Sequence, residues 1–204
     1  MPDLSKLERL QGALTLRVAF TQADAKIGRK AALFRRVFIR LMDKSIAEHQ
    51  EARIALNSQV QESKRPPKEM QETGRIIYMF AFSDHMENCI NSVRRLLRLL
   101  ERINSEKDAP SIPRDKKRFL SSQGKRLIDL RDTFEHMDER IQRDEICNDE
   151  AIMVKLGESD DLVEIGPRQV TFLELAGIIS KLHELASYLV FISDTDKENV
   201  QTGT

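Results

Sequence analysis

Apolar residues recur along this chain at spacings of three and four, with polar residues between them, over most of its length. Leu7, Leu10, Leu14 and Val18 share one face at that spacing and predict a helix that begins near Leu4. Gly28 breaks or kinks it. Phe34, Val37, Phe38 and Leu41 then open a second amphipathic run that continues toward Leu56, and the polar stretch from Asn57 to Ser63 reads as the approach to a linker. Lys64-Arg65-Pro66-Pro67 closes it, because proline lacks an amide donor and pushes its predecessor out of the α region. We read residues 1–63 as an N-terminal helical extension and 64–67 as the linker.

Residues 68–192 read as the main domain. A long helix is predicted from Lys68 to Asn104, with Ile76, Met79, Phe80, Met86, Ile90, Val93, Leu97 and Leu100 as its apolar stripe. Ala109-Pro110-Ser111-Ile112-Pro113 makes a rigid loop. The next helix runs from Arg114 to about Arg143 on Leu120, Leu127, Leu130, Phe134, Met137 and Ile141. After Cys147 the period changes to two: Ile152, Val154 and Leu156 alternate, a turn follows over residues 157–161, and Leu162 to Ile165 complete a β-hairpin near 151–166. Gly166-Pro167 closes the hairpin. Thr171 caps the last helix, with Glu174 at capping-box spacing, and Phe172, Leu175, Ile179, Leu182, Ala186 and Leu189 form its buried face. The polar residues 193–204 read as a flexible tail. The expected fold is therefore mainly α: a helical bundle with an N-terminal extension and one short hairpin before the C-terminal helix.

Composition narrows the function classes. Charged residues make up 32 %, aromatics 5 %, and Trp is absent, which favours amphipathic helices over an aromatic-rich β fold. Basic and acidic residues are equal in number, so the chain lacks the overall positive charge of a dedicated nucleic-acid binder, and RNA would have to meet a local patch. Arg29, Lys30, Arg35, Arg36 and Arg40 form one locally basic run, read either as a solvated face or as a phosphate-binding patch. Cys89 and Cys147 belong to no CxxC pair and read as reduced thiols of a cytoplasmic protein, and no apolar run is long enough to span a bilayer. Neither a phosphate-binding glycine loop, a GxSxG elbow nor an HExxH pair is present.

The stretch that points most directly to chemistry is Arg131-Asp132-Thr133-Phe134-Glu135-His136. Five residues turn a helix by about 140°. Relative to the stripe of Leu130 and Phe134, Arg131 falls on the shoulder and His136 nearly opposite. Within one chain that is an awkward pair; between two chains meeting at this helix, each Arg would approach the other's His.

This segment resembles the motif of the HEPN superfamily (higher eukaryotes and prokaryotes nucleotide-binding domains): an Arg, then Asn, Asp or His, and a His five to seven positions after the Arg. Arg131, Asp132 and His136 match it. The resemblance covers about Lys68 to Ile192. It implies an all-helical homodimer and a metal-independent endoribonuclease of a toxin–antitoxin or phage-defence system, with RNA as substrate, an antitoxin or other protein as partner, and no cofactor, metal or membrane. It implies that His136 is the general acid or base at a ribose 2′-OH or leaving 5′-oxygen, that Arg131 holds the scissile phosphate, and that Asp132 orients the imidazole. Products would carry a 2′,3′-cyclic phosphate and a 5′-hydroxyl. Glu87 and Asn91 match the family's upstream helix loosely, and with Arg94 they are the expected substrate-binding face.

Three readings follow: this ribonuclease, a non-catalytic helical module that dimerises or docks a partner, and a metal- or small-molecule-binding regulator. Without the resemblance, Asp132–His136 and Arg131–Glu135 are ordinary exposed helix pairs. His85 and Cys89 lie one turn apart but lack a second ligand pair, so His85 reads as an outward polar residue and Cys89 as a buried small hydrophobe. His49 and His183 read as surface or boundary residues.

Overall fold

The computed structural model describes residues 1–21, 27–107, 109–110, 112–147, 150–157 and 161–191, with backbone alone over 115–123. The fold is mainly helical, with a small antiparallel sheet before the last helix. Its elements in order are α1 (Leu10–Thr21), α2 (Arg29–Ser63), α3 (Pro67–Thr73), α4 (Met79–Ser105), α5 (Arg114–Glu135), α6 (Met137–Gln142), β1 (Lys155–Leu156), β2 (Leu162–Ile165), β3 (Arg168–Thr171) and α7 (Phe172–Phe191).

The centre of the molecule is the antiparallel pair α2 and α4. Three contacts set its register: the Cys89 thiol meets the Ser45 carbonyl at 3.5 Å, His85 Nδ1 lies 2.8 Å from Glu48 Oε2, and the Tyr78 amide donates to Gln59 Oε1 at 2.8 Å. Along the same two helices Phe38, Ile39, Met42, Phe82, Met86, Ile90 and Val93 are wholly buried. One apolar cluster runs from Leu4, Leu10 and Leu14 through this pair to Leu127, Leu130 and the α7 face. Residues on both sides of the Lys64–Pro67 break thus share a single core.

Several elements differ from their expected form. The polar stretch Asn57–Ser63 is helical, because it has work to do across the bundle. Glu62 accepts the Ile76 amide at 3.2 Å and Arg65 Nη2 at 3.0 Å, and Gln59 takes the Tyr78 amide. These bonds hold an extended stretch that begins at Gly74, whose φ of 78° is open to glycine and costly for other residues. The helix expected over Lys68–Asn104 is therefore two helices, and Ile76 and Phe80 stand exposed rather than in the stripe. The helix expected to reach Arg143 is likewise interrupted at His136 (φ −103°, ψ 18°), and Ile141 is 56 % exposed. The Leu120 side chain, most of the turn after Gly157 and the tail from Ser193 lie outside the described residues.

The hairpin has become a three-stranded sheet in the order β1-β2-β3. Gly166-Pro167 joins β2 to β3 instead of closing the element, since Ile165 pairs with Arg168 across it. Gly166 has φ 52°, the positive value a two-residue turn requires at its first position, and Pro167 supplies the fixed second. Ile152 lies before β1 and is exposed, whereas Val154, Val163, Ile165 and Val170 are buried. Thr171 Oγ1 accepts the Glu174 amide at 3.1 Å, which is the expected cap, and all six apolar residues assigned to the inner face of α7 are buried.

Candidate functional site

The Arg131–His136 segment ends α5 and lies beside the sheet. α5 packs against α4 where Gly124 meets Leu97; a Cβ on Gly124 would come within 3.2 Å of Leu97 Cδ1. The short connection between them makes the two helices antiparallel neighbours, so Arg131, two turns past Gly124, lies toward the N-terminal half of α4. Thr133 faces the Gly166 turn, where Arg140 Nη1 and Glu150 Oε1 form an ion pair at 2.5 Å. Arg140 holds the Glu150 carboxyl below the ordinary Glu range by its hydrogen bond, and is itself raised by the same contact.

Arg131 is half-buried and held by two carboxylates. Nη1 donates to Asp132 Oδ1 at 3.0 Å, and Nη2 closes on Glu135 Oε1 one turn on. Asp132 therefore turns toward Arg131 and not toward the imidazole. His136 is 56 % exposed and stands at the break between α5 and α6; its Nδ1 lies 3.4 Å from Glu139 Oε1.

Glu87, Asn91 and Arg94 follow one another along a half-buried line on α4. Glu87 reaches the sheet: Oε1 accepts the Val154 amide at 3.4 Å. Its burial raises the carboxyl pKa, the Val154 amide opposes that rise, and nearby Asp84 adds to it. Ser83 Oγ donates to the Val154 carbonyl beside it. Glu87 thus anchors the segment that leads into β1, which gives it a structural task independent of any substrate. His85 faces α2 through Glu48 instead of facing outward, and Cys89 is fully buried as expected, with burial pushing its thiol pKa up. Among the described residues no group of three His, Cys, Asp or Glu side chains comes together as a metal ligand set, and no helix is long and apolar enough to cross a membrane.

His49 was expected at a surface or boundary position and is completely buried on α2. Neither ring nitrogen has a hydrogen-bond partner among the described residues. Burial lowers its pKa to about 4, with the N-terminal amine and Arg53 contributing and Asp3 opposing. Its position had a sequence signal: Met42, Ser45, His49 and Ala52 follow the helical repeat, so His49 falls within the inner face. His183 bonds through Nε2 to the Glu8 carbonyl at 2.8 Å and ties α7 to the segment before α1.

The charges around the motif are one-sided. Among the described residues of 129–164, ten side chains are acidic and four are basic. A polyanion approaching His136 meets a surface of its own sign.

No protein-family model matches this chain, and no curated protein or solved structure matches it significantly.

Proposed function

We propose that this chain is a non-catalytic helical module that binds a protein partner or another copy of itself. The observation that carries the reading is the double engagement of Arg131. A phosphate-binding arginine presents its planar fork to the substrate, whereas both sides of this fork face carboxylates. A phosphate would have to displace Asp132 and Glu135 from within an acidic segment. The test is incubation of total RNA with wild type and His136→Ala in EDTA. We expect no cleavage by either protein. Cleavage by wild type and none by the variant overturns the proposal.

A second reading draws on one observation, the exposure of His136 at the helix break with Glu139 beside it. It is the HEPN-like, metal-independent endoribonuclease of a toxin–antitoxin or phage-defence system, acting as a homodimer under an antitoxin or other protein. His136 would exchange the proton and Arg131 would hold the phosphate once a second copy or the RNA had drawn the carboxylates away. The same assay decides between the two readings.

A further inference from the structure

Charge is distributed unevenly in a chain whose total is balanced. Residues 9–42, which include α1 and the first third of α2, hold eight basic side chains and one acidic. Residues 129–164, which include α6, β1 and most of β2, are the acidic stretch already described. The described parts of the two lie at opposite ends of the bundle. Ser45 meets Cys89, so the start of α2 lies beside the C-terminal half of α4; Val154 meets Ser83 and Glu87, so the sheet lies beside its N-terminal half. The chain cannot bring its own two ends together, but a second copy can.

The basic end also has a shape. Asp43 caps the N-terminus of α1 through the Leu10 and Gln11 amides at 2.9 and 3.0 Å, which lays α1 along α2. Between them is a groove of about 460 Å³ with Leu14, Val18 and Val37 on its floor and Arg40 at its edge. A second hollow of about 300 Å³, bordered by Leu33 and Arg29, adjoins it across Arg36. Among the described residues no acidic side chain lines either one, and Phe20 stands 83 % exposed nearby. A phosphate backbone would use the arginines and leave the apolar floor bare. The fitting occupant is acidic and carries an apolar side chain to bury.

The other end of this chain presents such a surface. Asp138, Glu139, Asp144 and Glu145 are exposed on α6 and the turn after it, and Ile141 projects among them. We propose that the α1–α2 groove of one copy receives the acidic α6 surface of a second copy, Ile141 foremost, in a head-to-tail contact. This rests on the reading of the chain as an assembly module and names its partner. Such a contact joins two different surfaces, so it extends into a ring or an open array.

The test is sedimentation equilibrium of the full chain with two charge-reversed variants, R29E/R40E in the groove and D138K/E145K on α6. All four positions are exposed, and circular dichroism checks that each variant is folded. Wild type should associate at about 50 mM salt and at least about tenfold more weakly at about 500 mM, where charges are screened within a few ångströms. Each variant alone should be monomeric, because its two surfaces then carry the same sign. An equimolar mixture of the two should associate again, each supplying the surface that the other has reversed. I141S should weaken association with all charges in place. A monomeric wild type at low salt overturns the proposal, and so does a mixture that stays monomeric. Binding of a 2′-O-methyl RNA 20-mer or of phosphatidylserine vesicles by a monomeric wild type, lost in R29E/R40E, would reassign the groove to that ligand. Failure here leaves the cleavage test untouched, and cleavage of RNA would not alter the sedimentation result.

Discussion

The α2–α4 pair and the helix end around Arg131 are both rich in polar residues, and they use them in opposite ways. On α2 and α4 the polar side chains reach across the fold: Asp43 caps α1, Glu48 holds His85, Gln59 and Glu62 hold the stretch after Gly74, and Glu87 holds the sheet. At Arg131 and His136 they reach along the chain. Arg131 pairs with Asp132 and Glu135, and Glu139 meets both His136 and Arg143. Cross-element bonds are fixed by burial and lose their geometry if the packing fails. Neighbour pairs on an exposed helix are worth a few tenths of a kcal/mol and persist wherever the helix does. The fold is held by the first kind, and the only legible chemical motif is built from the second.

The largest break in this comparison should come from Phe82. It is wholly buried on α4 and meets the Phe172 ring of α7 edge-on, with centroids 6.2 Å apart. Phe82→Ala removes that contact and leaves a cavity, so we expect a loss of about 3–5 kcal/mol in urea unfolding. A loss below about 1 kcal/mol would show that the buried face of α4 is not the centre of stability.

Next in size is a pH effect at His49. Its folded pKa, about 4, lies below the ordinary 6.5, so the unfolded chain binds the extra proton between these values. Stability is then full above pH 6.5 and declines as pH falls toward 4, by up to about 3 kcal/mol for a shift of this size. His49→Leu should remove this part of the decline. Asp3 is held near 2 by its bond from the Ser5 amide, and it acts only below its ordinary 3.8, outside the window. Parallel unfolding curves for wild type and variant from pH 7 to 4.5 would show that His49 is not the titrating group.

How much of this was legible follows the same division. Inner faces repeat within one helix, so the α7 stripe and its Thr171 cap could be read directly from spacing. The interruption at Gly74 could not, because Ile76, Met79 and Phe80 continue the helical repeat across it. What unwinds that stretch is Gln59 and Glu62 on another helix, and no local pattern names a partner so far along the chain. β3 was missed for a related reason: Gly166-Pro167 is a stop signal in isolation and a turn only when Arg168 has Ile165 to pair with. At the candidate site the Arg131–Glu135 pair was legible from its spacing. That Asp132 turns to Arg131, leaving His136 to Glu139, depends on the break at His136, which the uninterrupted repeat concealed.

A cap tests the cross-element bonds singly. Asp43→Ala removes the acceptor for the Leu10 and Gln11 amides, and the Leu10 bond is buried. We expect a cost of about 1–2 kcal/mol and faster amide exchange in the first turn of α1, with α5 unaffected. Unchanged exchange in α1 would mean that the helix holds its own start without α2.

The smallest effect should come from the motif. Arg131→Gln removes both carboxylate pairs, but each is made by a neighbour on the same exposed helix end, and the carboxylates released are free to face water. Stability should therefore change by no more than about 0.5 kcal/mol. The variant should also keep its helix content, since Gln propagates a helix about as well as Arg. A loss of about 2 kcal/mol or more would show that the Asp132–Arg131–Glu135 cluster is part of the packing, and the division between the two regions would fail. With the small value, the pairs at this helix end contribute little to the fold, and the contrast with the α2–α4 pair stands.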